Sequence, residues 1–178
     1  MLTYKRLADA ARARRLDLAD SDDYRQVVDY LCDEWIDDYR RIATNSDIVE
    51  TTAFAFSYLF DVQAQRLIAA WGLSRGRDAH ERDKSRMAGH PLRGDASYHR
   101  GHAIAHRLGG GTDINLVTQN AAVNVGAFRL LENEAIANPG ALYFTYWLYA
   151  VGNSQKPRAS QQGLLTPDGA LQLRDHLN

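Results

Sequence analysis

The sequence predicts an α+β fold in which helices come first and a strand, a helix and a second strand follow. Apolar residues recur at helical spacing through much of 1–73. Three consecutive glycines at 109–111 disfavour both regular elements and break the chain. The aromatic-rich run 142–151 then has the composition of a buried strand. Elements that are grouped by type in this way are typical of α+β proteins.

The first 73 residues are predicted to form a helical N-terminal segment, followed by a second domain over 74–178. A short helix is expected over 3–17. Asp20-Ser21-Asp22 is a good N-cap cluster for the next helix. The apolar positions of that helix are Val27, Val28, Leu31, Trp35, Tyr39 and Ile42. Asn45-Ser46-Asp47 predicts a further helix that Gly72 ends, with apolar positions Phe54, Tyr58, Leu59, Val62 and Ile68.

The second half alternates between loops and regular elements. Residues 74–95 are polar and contain glycine, which predicts a loop, and 97–107 are expected to form a strand. Residues 115–137 have a mostly helical composition, which Asn138-Pro139-Gly140 ends. Turns are predicted at 152–154 and 166–169.

The composition is that of an ordinary soluble globular protein. The chain has 178 residues, of which 45% are apolar and 24% charged, enough to bury a core. It contains no run of the roughly 18 apolar residues that a transmembrane helix needs, so no membrane partner is expected. Cys32 is the single cysteine, which excludes an intramolecular disulfide. The start lacks the apolar core of a signal peptide. Folding in the cytoplasm is the simplest expectation, and export without a classical signal peptide stays open.

The net charge of −1 is unevenly distributed along the chain. Residues 1–73 hold 9 Lys/Arg and 13 Asp/Glu, whereas 74–107 hold 8 and 4. A basic segment of this kind is able to follow a phosphate backbone. The alternative is a solvated loop with balanced ion pairs.

Three histidines lie within the run 99–106, just before the glycines. Alternation along a strand would place Arg100, His102, Ile104 and His106 on one face. A neutral imidazole there can take a proton from water, because its ordinary pKa is about 6.5. A zinc cluster is disfavoured, because structural zinc sites usually include cysteine and the single cysteine is distant in sequence.

Segment 98–134 resembles the DNA/RNA non-specific endonucleases of the ββα-metal, or His-Me finger, group. Those enzymes carry an Asp-Arg-Gly-His motif, a glycine loop, an Asn-Leu-Val turn, and a helix that bears Asn and Glu. Arg100-Gly101-His102 matches the last three positions of the motif. Asn115, Asn124 and Glu132 follow in the family's order and spacing. Including the Lys156-Pro157 that follows the final strand, the resemblance covers about 85–160. It implies a ββα-metal finger nuclease core with an N-terminal helical extension.

The resemblance also implies a role for each residue. His102 is the general base and Asn124 binds Mg²⁺ directly, with Mn²⁺ as a substitute. Glu132 holds a metal-bound water, and Asn115 orients His102 or nearby backbone. Arg100 is counted with this catalytic set. A further arginine usually neutralises the phosphate, and Arg86, Arg93, Arg107 and Arg129 are candidates that the sequence does not rank. Tyr98 is the aromatic residue close enough to touch substrate.

The implied function is a Mg²⁺-dependent endonuclease with little base preference, acting on DNA mainly and on RNA as a second substrate. One departure, His99 in place of the motif Asp, favours an alternative: an inactive module of the same fold that binds nucleic acid or protein. A third interpretation concerns the biological role of the nuclease. It would serve as an antibacterial toxin or effector, with an inhibitor or immunity protein as its partner. Interpretations without a catalytic role also stay open. In these, His102 is an ordinary histidine of a strand, and Asn124 and Glu132 are helix residues that face solvent.

Overall fold

The computed structural model describes residues 1–13, 16–79, 97–152 and 154–178. These form a mixed fold of helices and strands, as predicted. The helices are α1 (Lys5–Ala13), α2 (Ser21–Arg40), α3 (Ala121–Val125) and α4 (Phe128–Ala137). The strands are β1 (Ile48–Ala53), β2 (Phe56–Asp61), β3 (Arg66–Leu73), β4 (Tyr98–His102), β5 (Leu116–Asn120), β6 (Leu142–Leu148), β7 (Ala159–Leu165) and β8 (Leu171–Leu177).

Six strands form one antiparallel sheet in the order β1-β2-β3-β6-β7-β8. It takes three strands from each side of the predicted boundary at residue 73. Strands β3 and β6 are neighbours, with Leu73 paired to Leu142. Ser74 N donates to Ala141 O at 2.8 Å, and Gly140 N donates to Ser74 O at 2.7 Å. Residues 74–141, here called the insertion, therefore leave and rejoin the sheet at one place.

Helix α2 packs its apolar side on one face of the sheet. Asp20 caps the helix as predicted, accepting from the backbone N atoms of Asp22 and Asp23. The Trp35 ring lies 5.5 Å from both Trp71 and Phe144, and its Nε1 donates to the Tyr4 hydroxyl at 2.8 Å. Residues of 1–73 and of the later strands thus share one apolar core.

The described part of the insertion packs on the opposite face of the sheet, because its contact residue Trp147 points away from Phe144. Phe128 of α4 stacks on Trp147 at 5.8 Å. Gln162 Nε2 donates to the Phe128 carbonyl at 3.1 Å and to the Tyr143 hydroxyl at 2.6 Å. A buried polar link therefore joins α4 to β6 and β7.

The predicted helix over 45–72 is wrong, because this region forms β1, β2 and β3. Phe54 and Ala55 both have positive φ, 55° and 65°, and make a tight hairpin turn without the Asn-Gly or Asp-Gly sequence that usually indicates one. Strand β3 is buried on both faces, so its near-continuous apolar run hides the alternation typical of strands.

The insertion also differs from its predicted elements. The strand expected over 97–107 ends at His102, and a 3₁₀ turn covers His106–Leu108. Ile104 and His106 therefore do not continue the face that carries Arg100 and His102. The helix predicted over 115–137 is wrong in its first part, where Leu116–Asn120 form strand β5 and pair with β4. The Asn-Leu-Val run therefore leads into a strand. Pairing across the hairpin outweighs the helical composition of this stretch.

Other predicted elements are confirmed. Helices α1 and α2, strand β6 and the turn within 166–169 lie where the sequence indicates. Of the predicted loop 74–95, residues 80–95 lie outside the described residues. Within the described parts of the chain, none of the helices combines the length and apolar character that a bilayer-crossing segment requires.

Candidate active site

The β4–β5 hairpin presents the Arg-Gly-His motif. Arg100 and His102 lie on one face of β4, paired with Thr118 and Leu116. Between them, Gly101 is covered by the buried Gln119 side chain. A Cβ at Gly101 would lie 2.1 Å from Gln119 Oε1, so only glycine fits there. His102 is 8% exposed, and its imidazole is held at the end of the strand.

Asn115 fixes the backbone that follows His102. Its side chain is fully buried. Its Oδ1 accepts from Ile104 N at 2.7 Å, and its Nδ2 donates to Ile104 O at 2.8 Å and to Gly111 O at 2.7 Å. The Asn115 carbonyl accepts from Ala103 N at 2.9 Å. These bonds tie the glycine loop to the strand end and hold the backbone that follows His102.

The glycine loop passes too close to the strand end for side chains. A Cβ at Gly110 would lie 2.0 Å from Ile104 O, which is backbone that cannot move aside. Gly109 has φ of +96°, a conformation that other residues rarely adopt. The loop therefore needs glycine at both positions, and Asn115 hydrogen-bonds to Gly111 of the loop and to Ile104 at the strand end.

Helix α3 places Asn124 beside His99. Asn120 caps this short helix, its Oδ1 accepting from Ala122 N and Val123 N. Asn124 Nδ2 lies 3.2 Å from His99 Nδ1. Alternation places His99 on the other face of β4 from Arg100 and His102. The structure thus brings the predicted metal ligand next to the residue that departs from the family motif.

Glu132 lies half-buried on α4. Burial raises the pKa of its carboxyl to about 7, while the positive charges of Arg129 and Arg107 act in the opposite direction. Arg107 Nη1 also donates to Asn133 Oδ1 at 3.1 Å, which joins the 3₁₀ turn to α4. Two of the four candidate arginines therefore lie near Glu132. Arg86 and Arg93 lie outside the described residues.

The structure places Lys156 beside Tyr98. Lys156 was noted only as part of the Lys-Pro ending, yet its Nζ lies 3.5 Å from the Tyr98 ring centroid. No local signal links these residues, which are far apart in sequence. Glu134 of α4 forms an ion pair with Arg174 at 3.4 Å.

The Asn124 carboxamide offers the type of oxygen ligand that a hard cation takes. Among the residues that the structure describes, no three His, Cys, Asp or Glu side chains converge. Asn124 offers a carboxamide whose nitrogen is directed at His99. Its Oδ1 is the type of ligand that Mg²⁺ takes while keeping several waters. The residues present therefore fit a magnesium ion held by one protein oxygen.

Comparisons with known proteins agree with the predicted resemblance. Residues 61–142 match the model of a family described as DNA/RNA non-specific endonuclease, which confirms the resemblance over a segment that contains His102, Asn115, Asn124 and Glu132. No curated protein matches the chain.

Solved structures with a similar chain include two of NucA from Streptococcus agalactiae. The structure without metal has 15% sequence identity and a TM-score of 0.46, and the alignment covers 81% of this chain and 86% of that one. The structure with magnesium bound has 13% identity and a TM-score of 0.44 at the same coverage.

Proposed function

We propose that this protein is a Mg²⁺-dependent endonuclease that hydrolyses phosphodiester bonds of DNA, and of RNA as a second substrate, with little base preference. Mn²⁺ is expected to replace Mg²⁺. The observation that carries the proposal is the family match over 61–142, because it encloses every residue that the sequence motif assigns to the site. The ββα-metal core is part of the proposal. It is supported by the hairpin β4–β5 followed directly by α3 and α4.

In the proposed reaction His102 takes a proton from the attacking water. The water oxygen bonds to phosphorus, the bond from phosphorus to the 3′ oxygen breaks, and the 3′ oxygen leaves. Asn124 would hold the metal directly, and Glu132 would hold one of its waters. A bound Mg²⁺ would supply positive charge at the phosphate and the leaving oxygen.

Arg107 and Arg129 are the described candidates for binding the phosphate. Both guanidinium groups act on the Glu132 carboxyl, and both side chains are exposed. A phosphate that approaches Glu132 would therefore meet positive charge from the 3₁₀ turn and from α4. Asn133 accepts a hydrogen bond from Arg107, so we rank Arg107 as the more rigidly held of the two.

The proposal is tested with supercoiled plasmid DNA incubated with the protein and Mg²⁺, with EDTA in a parallel sample. Nicking in Mg²⁺ and none in EDTA supports a metal-dependent endonuclease. Binding without nicking at any metal concentration would instead support the inactive module, which the substitution of His99 for the motif Asp favours. Equal nicking in both samples would show that cleavage needs no metal ion and would contradict the proposed Mg²⁺ dependence.

A role as an antibacterial toxin with an inhibitor or immunity protein is a proposal about use. It is tested by expressing the protein in bacterial cells. Growth arrest that a His102→Ala variant does not cause, and that a co-expressed neighbouring gene product relieves, supports it. Normal growth with active enzyme present contradicts it.

A further inference from the structure

We infer that His99 is a positioning residue for Asn124, accepting a hydrogen bond from the carboxamide nitrogen so that the carboxamide oxygen is presented to the metal. This inference rests on the proposed function. It assigns a purpose to the one position at which the chain departs from its family's motif, and it predicts that the departure preserves metal binding.

The contact itself is the first observation. Asn124 Nδ2 lies 3.2 Å from His99 Nδ1. A carboxamide carries one donor atom and one acceptor atom at its end, so fixing the nitrogen also fixes the direction of the oxygen. A neutral imidazole whose Nδ1 accepts carries its proton on Nε2. The pair therefore leaves Asn124 Oδ1 directed away from His99.

The need for a positioning contact follows from the helix that carries Asn124. Helix α3 spans only Ala121–Val125 and has no buried residue. A helix of this length has little stability of its own and depends on tertiary contacts. Asn120 holds its first turn, and the His99 contact holds the end that carries Asn124. Through His99, the β4–β5 ladder thus fixes a side chain on a short helix that has no buried residue.

Histidine at position 99 can supply the same hydrogen-bond acceptor as the aspartate of the family motif. The Nδ1 atom of histidine and the Oδ atoms of aspartate and asparagine are each two bonds from Cβ. An aspartate at position 99 would place a carboxylate oxygen close to where the imidazole nitrogen now lies. Each is a hydrogen-bond acceptor for an amide N–H. His99 therefore keeps the acceptor that the motif Asp would supply, while it removes the negative charge.

The test compares three substitutions of His99 that separate the effect of its hydrogen-bond acceptor from the effect of its size. His99→Asn keeps an acceptor at the same position, His99→Leu keeps bulk without an acceptor, and His99→Ala removes both. Mn²⁺ binding to each protein is measured without nucleic acid by the loss of the free-ion signal in electron paramagnetic resonance. The Mg²⁺ concentration for half-maximal plasmid nicking is measured in parallel.

We expect His99→Leu and His99→Ala to weaken Mn²⁺ binding about tenfold, the lower end of what such supporting contacts contribute. They should raise the half-maximal Mg²⁺ concentration to a similar extent, with the rate at saturating Mg²⁺ nearly unchanged. His99→Asn should bind Mn²⁺ within about threefold of wild type. A side chain that acts only by filling space would give the reverse order, with His99→Leu the better variant.

Three outcomes would overturn the inference. Wild-type affinity in both His99→Leu and His99→Ala would show that the contact does not orient Asn124. A nitrogen coupling from a directly bound imidazole, seen by pulsed resonance in the Mn²⁺-loaded wild type and lost in His99→Leu, would make His99 itself a ligand. A wild-type protein that binds no Mn²⁺ and cuts no DNA would overturn the proposed function together with this inference, whereas the first two outcomes leave the proposed function standing.

Discussion

The imidazole of His102 lies at the end of β4 and is 8% exposed. As the general base of the proposed reaction, it should contribute roughly 10²–10⁴-fold in rate. We predict that His102→Ala loses plasmid cleavage to this extent while its far-ultraviolet circular dichroism and its affinity for DNA stay close to wild type. His106→Ala is the matched control, because its ring lies 6.5 Å from that of His102 but outside the strand. Cleavage by His102→Ala within about threefold of wild type would place the base elsewhere.

Asn124 on α3 and Glu134 on α4 provide a matched pair. Glu134 is engaged with Arg174 of β8, whereas Asn124 contacts only β4 among the contacts that the structure records for it. We predict that Asn124→Ala abolishes Mg²⁺-dependent cleavage and that Glu134→Ala keeps most of it. Cleavage rates across a Mg²⁺ titration distinguish the two. An equal loss in both variants would mean that a different side chain holds the metal.

Glu132 makes stability depend on pH. The pKa of its carboxyl is raised to about 7 by burial, whereas in the unfolded chain it is about 4.3. Since the folded form has the higher pKa, stability is fully present below the unfolded pKa and is lost as pH rises through about 7.

We predict that, in EDTA, wild type loses on the order of 2 kcal/mol of unfolding free energy relative to Glu132→Gln between pH about 4 and about 8. Urea unfolding at several pH values measures this difference. Glu134→Gln serves as the control, since the Glu134 carboxylate already has a cationic partner in Arg174. A constant difference between wild type and Glu132→Gln across the range would contradict the burial of an ionisable carboxyl.

At the scale of elements, the hairpin β4–β5 depends on Asn115. Its carboxamide satisfies two buried backbone groups, Ile104 N and Ile104 O, and the partly buried Gly111 O. We predict that Asn115→Ala lowers the free energy of unfolding by on the order of 3 kcal/mol, because those groups lose their partners without gaining water. The control is Asn133→Ala, because the Asn133 carboxamide accepts an exposed hydrogen bond from Arg107.

Hydrogen exchange locates the effect of the same substitution. In Asn115→Ala the amides of Ala103 and Ile104 should exchange faster, while those in the centre of the six-stranded sheet stay protected. Uniform loss of protection over the sheet would show that Asn115 acts on the whole fold, and not on the loop that follows His102.

Elements differ in how far the sequence predicts them. The Arg-Gly-His motif, Asn115 and Asn124 can be proposed from the sequence because they follow one another over a short segment in the order of a known family. Close packing explains the glycines at 101 and 110. Strands β1–β3 were missed because their hairpin turn uses Phe54 and Ala55 at positive φ and because β3 is apolar on both faces. The contacts of Asn124 with His99 and of Lys156 with Tyr98 join residues far apart in sequence, which no periodicity reveals.

For the whole molecule, the charge distribution predicts how DNA is bound. Residues 74–107 hold 8 basic and 4 acidic residues, of which 80–96 lie outside the described residues. A few phosphates contacted by this segment should give a slope of about −2 to −4 for the logarithm of affinity against the logarithm of salt concentration. The two duplexes used in the measurement, unrelated in sequence, should bind alike, because contacts to phosphate carry no base information.

The measurement uses His102→Ala to prevent cutting. Adding Arg77→Ala, which removes an exposed basic residue of the segment, should lower the magnitude of the slope by about 1. Adding Arg40→Ala, an exposed arginine in the acidic 1–73 region, should leave it unchanged. An affinity that ignores salt, or that differs strongly between the duplexes, would contradict binding through phosphates.

The pairing of Leu73 with Leu142, with Ser74 and Ala141 bonded beyond it, makes the insertion a loop with a closed base. The entropy of closing such a loop grows only with the logarithm of its length, by roughly 0.6 kcal/mol for each doubling. Adding or removing residues between Ser74 and Ala141 should therefore change the stability of the sheet little, provided that Gln162 still donates to the Phe128 carbonyl. Natural variants with longer or shorter loops in the insertion, or a library of engineered variants in the same segment, can therefore change the surface that meets a substrate. The register of the six strands stays the same.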